Sequence, residues 1–289
     1  MPLPYGWLVS LNKGYFNYQV PKDDPVAYSR WEFEQGRLVW ERFFKGRVDV
    51  EGKDVLDLGC GPGGKTNYLA TLKPRRVVGV DFLPELLNEA EIAKNILAPP
   101  TDRIRLEFVL SNASDLPFPE NYFDIVTCSD AMEHFSDPAT VVREVARVLK
   151  PGGIFTVDFA QWGSYNGHHL GDFFKTWWVQ VFWSEEDLRK AVVELANQEK
   201  RNFVDSAARE KIDDLVKRRL DYFNKCLNHL SISTFEKTLN GRSEFITLWK
   251  KKTSAHPALW LFSLAPGIRE LAVERNVYII AKRDDVSAE

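Results

Sequence analysis

The residues best suited to bind a ligand form one glycine-rich segment, DLGCGPGGKT (57–66). A short apolar run precedes this segment and a helical pattern follows it, so backbone N–H groups and the positive end of a helix dipole would face a ligand. The spacing of Gly59, Gly61 and Gly64 matches the G-x-G-x-x-G loop of dinucleotide-binding folds, and residues 59–66 also match the phosphate loop G-x-x-x-x-G-K-[ST]. The segment alone does not decide between these ligands.

An acidic residue further along the chain separates the alternatives. The run RVVGVD (76–81) predicts the next strand and ends in Asp81, 22 residues after Gly59. A carboxylate at this position can accept hydrogen bonds from both hydroxyls of an adenosine ribose. NAD and S-adenosylmethionine both carry that ribose, whereas an NTPase using Lys65 and Thr66 in a phosphate loop has no use for the acid. The sequence therefore favours an adenosine cofactor over a nucleotide triphosphate.

Further motifs follow the loop and Asp81 in a fixed order. They are SNASDLPFPENYFDIV (111–126), SDAMEHFSDP (129–138) and RVLKPGG (147–153). Together with an acidic G-x-G-x-G loop led by Asp57, this series resembles the class I S-adenosylmethionine-dependent methyltransferases over residues 55–159. The resemblance is to the small-molecule branch, which includes ubiquinone and sterol methyltransferases. It implies an enzyme that transfers a methyl group from S-adenosylmethionine to a small molecule.

The resemblance also implies which residues bind this cofactor. The loop glycines would let the methionine part approach the backbone, Asp81 would bind the ribose, and Ser129 would face the methyl group. Asn112 stands where many of these enzymes have an Asp that contacts the adenine amino group, and an amide oxygen can accept the same hydrogen bond. The implied cofactor-binding residues are Asp57, Gly59, Gly61, Gly63, Asp81, Asn112, Ala113 and Ser129.

Three histidines are candidates for a catalytic base. A base is needed only if the acceptor is a neutral hydroxyl, and a histidine suits that task because its ordinary pKa lies near neutrality. His134 follows the fourth predicted strand, and His168 and His169 follow the fifth. If these residues are not catalytic, His134 packs the turn after its strand, and His168 and His169 are polar groups on the surface. We predict O-methylation with a histidine base, with N- or C-methylation without a base as the alternative. No metal site is predicted, because adjacent residues such as His168 and His169 usually point apart.

Short apolar runs at 55–59, 76–81, 104–109, 123–129 and 153–159 alternate with helical stretches, which predicts a parallel sheet covered on both faces. An amphipathic helix is predicted over 28–44, and apolar residues recur three and four apart within 185–230. We predict a Rossmann-like α/β fold with seven mostly parallel strands and an antiparallel last strand. Residues 161–230 break the alternation, with eight aromatic residues in 161–183 and a charged helical stretch in 185–230. We interpret the aromatic residues mainly as core, and predict that the insertion is a lid over the carboxyl edge of the sheet that builds the acceptor pocket. If part of the aromatic cluster lines that pocket, it favours an aromatic, lipid-like or sugar-containing acceptor. The predicted domains are 1–45 (N-terminal helical segment), 46–160 (cofactor half of the core), 161–230 (lid) and 231–289 (remainder of the core).

The composition is typical of a globular protein, with 44% hydrophobic and 27% charged residues. The net charge of −3, with both signs intermixed, argues against a nucleic-acid partner. Three widely spaced cysteines without a C-x-x-C pair favour the reducing cytoplasm. No signal-like start is present, and the apolar stretch 258–264 is too short to cross a bilayer. The competing classes are an NAD-type enzyme, an NTPase and a non-catalytic cofactor-binding protein, and the sequence identifies neither the acceptor nor the oligomeric state.

Overall fold

The computed structural model describes residues 3–17, 24–203, 205–254 and 269–284. Within these ranges the chain divides into two compact units. The sheet unit is drawn from Val20–Phe159, Ser233–Lys251 and Val277–Glu289, and the helical unit from Met1–Gln19, Ala160–Ile232 and Lys252–Asn276. The predicted N-terminal segment 1–45 therefore contributes to both units, and the predicted insertion 161–230 falls within the helical one.

Seven strands form a single sheet. They are β1 (Asp54–Leu58), β2 (Arg76–Asp81), β3 (Leu106–Leu110), β4 (Phe123–Ser129), β5 (Leu149–Phe159), β6 (Phe245–Thr253) and β7 (Arg275–Lys282). Their order across the sheet is β3-β2-β1-β4-β5-β7-β6, and the four pairs from β3 to β5 are parallel. β6 and β7 run antiparallel, since Arg283 N–H donates to Glu244 O at one end and Glu274 N–H to Thr253 O at the other. The prediction of a mostly parallel Rossmann-like sheet with an antiparallel last strand is confirmed.

Helices of the sheet unit pack on both faces of this sheet. Every residue of β1 is buried, as expected of a central strand covered on both sides. The helix predicted over 28–44 is α2 (Pro25–Val39), which continues as one π-helical turn, Trp40–Phe44. The other helices are α3 (Gly64–Ala70), α4 (Pro84–Leu97), α5 (Pro100–Arg103), a 3₁₀ turn (Met132–His134), α6 (Pro138–Val148) and α10 (Ile232–Asn240).

Within the described residues, the helices of the helical unit are α1 (Tyr5–Asn12), α7 (Val179–Phe182), α8 (Glu185–Lys200), α9 (Ser206–Lys225) and α11 (Arg269–Ala272). Apolar residues at the predicted three-and-four spacing on α8 and α9 form much of the interior of this unit. They include Leu188, Val192, Leu195, Ile212 and Leu215. Among the aromatic residues of 161–183, Phe173, Phe174 and Trp183 are buried in this core, whereas Trp177 and Phe182 are exposed. The interpretation of the cluster as core therefore holds for part of it.

No helix within the described residues is long and apolar enough to cross a membrane. The apolar stretch 258–264, predicted to be too short for that purpose, lies outside the described residues.

Candidate functional site

The glycine segment forms the loop between β1 and α3, with backbone angles that explain its composition. Gly59 and Gly61 have φ of +68° and +53°, a region that L side chains rarely adopt. A Cβ on Gly59 would lie 2.6 Å from the Cβ of Ala131, so the close approach of the loop to the end of β4 also requires glycine at this position. Around Gly61 the nearest described atom to such a Cβ is Glu32 Oε1, at 4.0 Å. The backbone at Gly61 is thus left accessible to a ligand.

Asp81 ends β2 directly beside this loop. Its Oδ2 accepts the N–H of Gly61 and its Oδ1 the N–H of Leu83, each at 3.0 Å. Burial raises the pKa of Asp81, and the backbone N–H groups of Leu83, Gly61 and Phe82 oppose the rise. An ionised carboxylate has about four lone-pair sites, so two backbone bonds leave capacity for two further donors. The arrangement fits a ribose with its two vicinal hydroxyls.

Asp57 lies in β1, two residues before Gly59. It is 3% exposed, and its carboxylate accepts hydrogen bonds from Thr66 Oγ1 at 2.7 Å and Thr127 Oγ1 at 2.9 Å. These bonds join β1 to α3 and to β4 beneath the glycine loop. The sequence reasoning missed both threonines, although a hydroxyl within an otherwise apolar predicted strand, as at Thr127, was an available signal.

Lys65 extends toward the end of β4. Its Nζ donates to the carbonyl oxygen of Ser129 at 3.0 Å and forms an ion pair with Asp130 Oδ2 at 2.8 Å. Burial alone would lower the pKa of Lys65, but the carboxylates of Asp130 and Glu32 outweigh it and raise the pKa. The lysine therefore remains charged while it holds the β4 end in place, which is a different task from gripping a phosphate.

The adenine-binding residues implied by the resemblance follow β3. The N–H of Ser111 donates to the carbonyl oxygen of Asp81, so this segment lies beside Asp81. Ala113 is buried, while Asn112 is exposed and its Oδ1 accepts the N–H of Ser114 at 2.9 Å. Phe82, which the sequence reasoning missed, is 60% exposed immediately after Asp81 and offers an apolar ring at the same edge.

Ser129 ends β4 and borders a small cavity of about 30 Å³. Its Oγ is buried, and no described residue forms a hydrogen bond with it. The polar lining of the cavity includes Asp57, Lys65 and Asp158, and its apolar lining includes Trp40. A small polar space thus lies within the sheet unit next to the residue predicted to face the methyl group.

The three candidate bases have different environments. His134 closes the 3₁₀ turn after β4 in the sheet unit and is half-buried. His169 is half-buried in the helical unit, with a φ of +54° and its ring 5.9 Å from that of Tyr222. His168 is 1% exposed, and its Nδ1 accepts the N–H of Leu170 at 2.9 Å.

This environment makes His168 a poor base. A neutral imidazole that accepts through Nδ1 carries its proton on Nε2, so neither nitrogen is available to take another. Burial also lowers the pKa of His168 to about 3. Its observed contacts stabilise the turn that begins the insertion, whereas the structural interpretation from the sequence had placed it on the surface.

Comparisons with known proteins agree with the motifs. Residues 56–157 match the family model described as "Methyltransferase domain". The chain is 34% identical over 145 residues to a fatty-acid O-methyltransferase of Mycolicibacterium smegmatis, covering 49% of this chain and 50% of that protein. It is 38% identical over 147 residues to a ubiquinone biosynthesis O-methyltransferase of Pseudomonas savastanoi pv. phaseolicola, covering 47% and 59% of the two chains. The matched region thus spans about half the length of these curated relatives.

A solved structure shares the fold. It is described as an S-adenosylmethionine-dependent methyltransferase from Listeria monocytogenes, with a TM-score of 0.53, 18% identity, and coverage of 87% of this chain and 100% of that one. The resemblance predicted from the motifs is confirmed.

Proposed function

We propose that this chain, whose residues 56–157 carry a domain of the methyltransferase family, transfers a methyl group from S-adenosylmethionine to a small molecule. The observation that carries the proposal is the pairing of an accessible Gly61 backbone with a carboxylate, Asp81, that is already fixed by two backbone N–H groups. Such preorganised acceptors match an adenosine ribose without further rearrangement.

The residues of the sheet unit fit the cofactor part by part. Gly61 leaves the loop backbone accessible to it, Asp81 receives the ribose hydroxyls, and Asn112 and Ala113 lie where the adenine would bind. When bound, S-adenosylmethionine supplies an activated methyl group for in-line transfer. The chain's own contribution is to hold the acceptor atom close and aligned, which alone can supply several kcal/mol.

Oxygen is the acceptor atom that we propose, on an aromatic or lipid-like molecule. The named O-methyltransferases among the relatives support this, and both names refer to apolar metabolites. His134 is the base in this proposal, because it directly follows β4 and belongs to the same unit as the cofactor loop. His169 is the competing base, and it requires that the insertion 161–230 act as the proposed lid. N- or C-methylation without a base is the second candidate.

Two acceptors of similar size but different charge test this role. For a phenol, His134→Ala should lower kcat by about 10²–10⁴-fold, the usual contribution of base catalysis. For a fatty acid, whose carboxylate is already ionised, the same variant should keep its rate. His169→Ala serves as the matched comparison. Equal rates of wild type and His134→Ala on the phenol would refute the role of His134. If only His169→Ala lowered the rate of phenol methylation, His169 in the proposed lid would be the base.

The methyl-transfer proposal itself is tested by incubating the protein with labelled S-adenosylmethionine and a panel of phenols, fatty acids and glycosides, with mass spectrometry of the products. Cofactor binding without turnover on any acceptor would favour the non-catalytic alternative, and binding of NAD instead would favour an oxidoreductase. We further place the protein in the cytoplasm, because Cys60, Cys128 and Cys226 are all free thiols. Thiol titration of the protein isolated under non-reducing conditions would contradict this if disulfides were found.

A further inference from the structure

Glu32, on α2, is a half-buried acid next to the glycine loop that no motif identified. A Cβ on Gly64 would lie 2.5 Å from the Cβ of Glu32, so α2 packs directly on the start of α3. The Glu32 carboxylate accepts a hydrogen bond from the N–H of Gly64. Its Oε2 is shut off from solvent, and no described group forms a hydrogen bond with it. A buried carboxylate oxygen left in this state is costly unless a donor binds there.

The charges around Glu32 leave room for a cation. Four carboxylates of the described residues interact electrostatically with Lys65: Glu32, Asp57, Asp130 and Asp158. Lys65 itself is engaged by Asp130 and by the Ser129 carbonyl oxygen. Lys65 therefore lies among several acidic groups in a largely buried setting, where ionic interactions are strong.

The position of Glu32 relative to Asp81 indicates which cation binds. The N–H of Gly61 points to Asp81 Oδ2, and Glu32 Oε1 is the atom nearest to where a Cβ of Gly61 would be. The two acids thus flank the same residue of the loop. If the ribose binds to Asp81, the amino-acid group at the other end of the cofactor can bind on the side of Gly61 where Glu32 lies.

We propose that Glu32 binds the α-ammonium group of the methionine portion of S-adenosylmethionine. This inference rests on the proposed cofactor and is independent of the acceptor. It assigns to α2 a direct part in cofactor binding that lies outside the matched domain 56–157. The bond is a charge-assisted hydrogen bond between carboxylate and ammonium, which is about twice as strong as a neutral one.

Proton release should accompany this contact. Burial raises the pKa of Glu32 to about 7, with Asp57 and Asp130 adding to the rise and Lys65 opposing it. The neighbouring Cys60 thiol stays neutral, because burial raises its pKa. In the free protein near pH 7, Glu32 is therefore partly protonated, and an ammonium bound to it favours the ionised form. The affinity for an ammonium-bearing ligand should rise between pH 6 and pH 8 as Glu32 ionises.

Isothermal titration calorimetry with two ligands tests the proposal. S-adenosylhomocysteine carries the amino-acid group and no sulfonium, whereas 5′-methylthioadenosine keeps the adenosine and the sulfur but lacks the amino acid. Glu32→Gln, which keeps the shape and removes the charge, should weaken binding of S-adenosylhomocysteine by about 10- to 100-fold, as expected for loss of a charged hydrogen bond. Binding of 5′-methylthioadenosine should change by less than about twofold, which also shows that the loop is intact.

Two further measurements complete the test. The rise in S-adenosylhomocysteine affinity from pH 6 to pH 8, and the proton release measured in buffers of different ionisation enthalpy, should both vanish in Glu32→Gln. The control is Glu34→Gln on the same helix, where the acid is exposed and pairs with Arg37, and it should behave as wild type.

Other outcomes would overturn the inference. Unchanged affinity of Glu32→Gln for S-adenosylhomocysteine would show that Glu32 makes no contact with the ligand. Equal weakening of both ligands would show that Glu32 only shapes the loop. If the wild-type protein bound neither ligand, the cofactor assignment would itself fail, and that result differs from failure of Glu32 alone.

Discussion

Replacement of Asp81 by Ala provides a quantitative test of the cofactor site. The carboxylate is 8% exposed, and each oxygen already accepts one backbone N–H at 3.0 Å. Two ribose hydroxyls would add two charge-assisted hydrogen bonds, each worth about 1.5–3 kcal/mol at most. Since water partly replaces these bonds in the variant, we expect a net loss of about 2–4 kcal/mol. That corresponds to about 30- to 1000-fold weaker binding.

Calorimetry with S-adenosylhomocysteine measures this loss, and a second ligand shows its cause. Removal of Asp81 also leaves the N–H groups of Gly61 and Leu83 without their acceptor, so a distorted loop would weaken binding too. An analogue without the ribose 2′-hydroxyl separates the two effects in a double-mutant cycle. Wild type should bind the analogue about tenfold more weakly than S-adenosylhomocysteine, whereas Asp81→Ala should bind both alike.

Glu85→Ala, at an exposed position in the first turn of α4, is the control and should leave the affinity unchanged. Unchanged affinity of Asp81→Ala would refute the assignment of the ribose acid. Full discrimination between the two ligands by Asp81→Ala would refute it as well, because the hydroxyl would then be recognised elsewhere.

Three further predictions follow from buried groups. Lys65→Ala should lower the free energy of unfolding by about 2–4 kcal/mol in denaturant titrations, since it removes the ion pair with Asp130 at a site with limited solvent access. Lys94→Ala, on the more exposed side of the same unit, should cost under about 0.5 kcal/mol. A loss below about 1 kcal/mol for Lys65→Ala would contradict the importance of the pair. Burial lowers the pKa of His168 in the folded protein to about 3, so below about pH 6.5 this histidine is protonated in the unfolded chain but not in the folded one. His168 should therefore lower the free energy of unfolding by about 1.4 kcal/mol for each further pH unit. His168→Asn, whose amide oxygen can still accept the Leu170 N–H, should flatten that dependence between pH 7 and pH 5, and an unaltered slope would refute the assignment. Finally, the partly exposed Cys226 should react with a thiol reagent in the native protein, with the two buried cysteines reacting only after unfolding; rapid native reaction of all three would contradict their burial.

The sequence by itself determined the sheet and the framework of the cofactor loop. The predicted strands 76–81 and 123–129 coincide with β2 and β4, because apolar β-branched runs bounded by Gly, Asp or Ser are local signals. The largest difference is β5, predicted from residue 153 but observed from Leu149. Pro151 and Gly152 indicate a turn, but in the structure they lie inside β5, where the pairing with β4 is irregular. Local composition could not distinguish a turn from a bulge in a continuous strand.

Only the tertiary structure decided how the charged residues near the loop are used. Lys65 pairs with Asp130, 65 residues away, and Glu32 reaches the loop from a helix that the family motifs do not include. His168, predicted as a base or a surface residue, is buried with its Nδ1 occupied. Such outcomes depend on packing between segments distant in sequence, and the burial of a polar group, which sets its pKa and its need for a partner, exists only once those segments have come together.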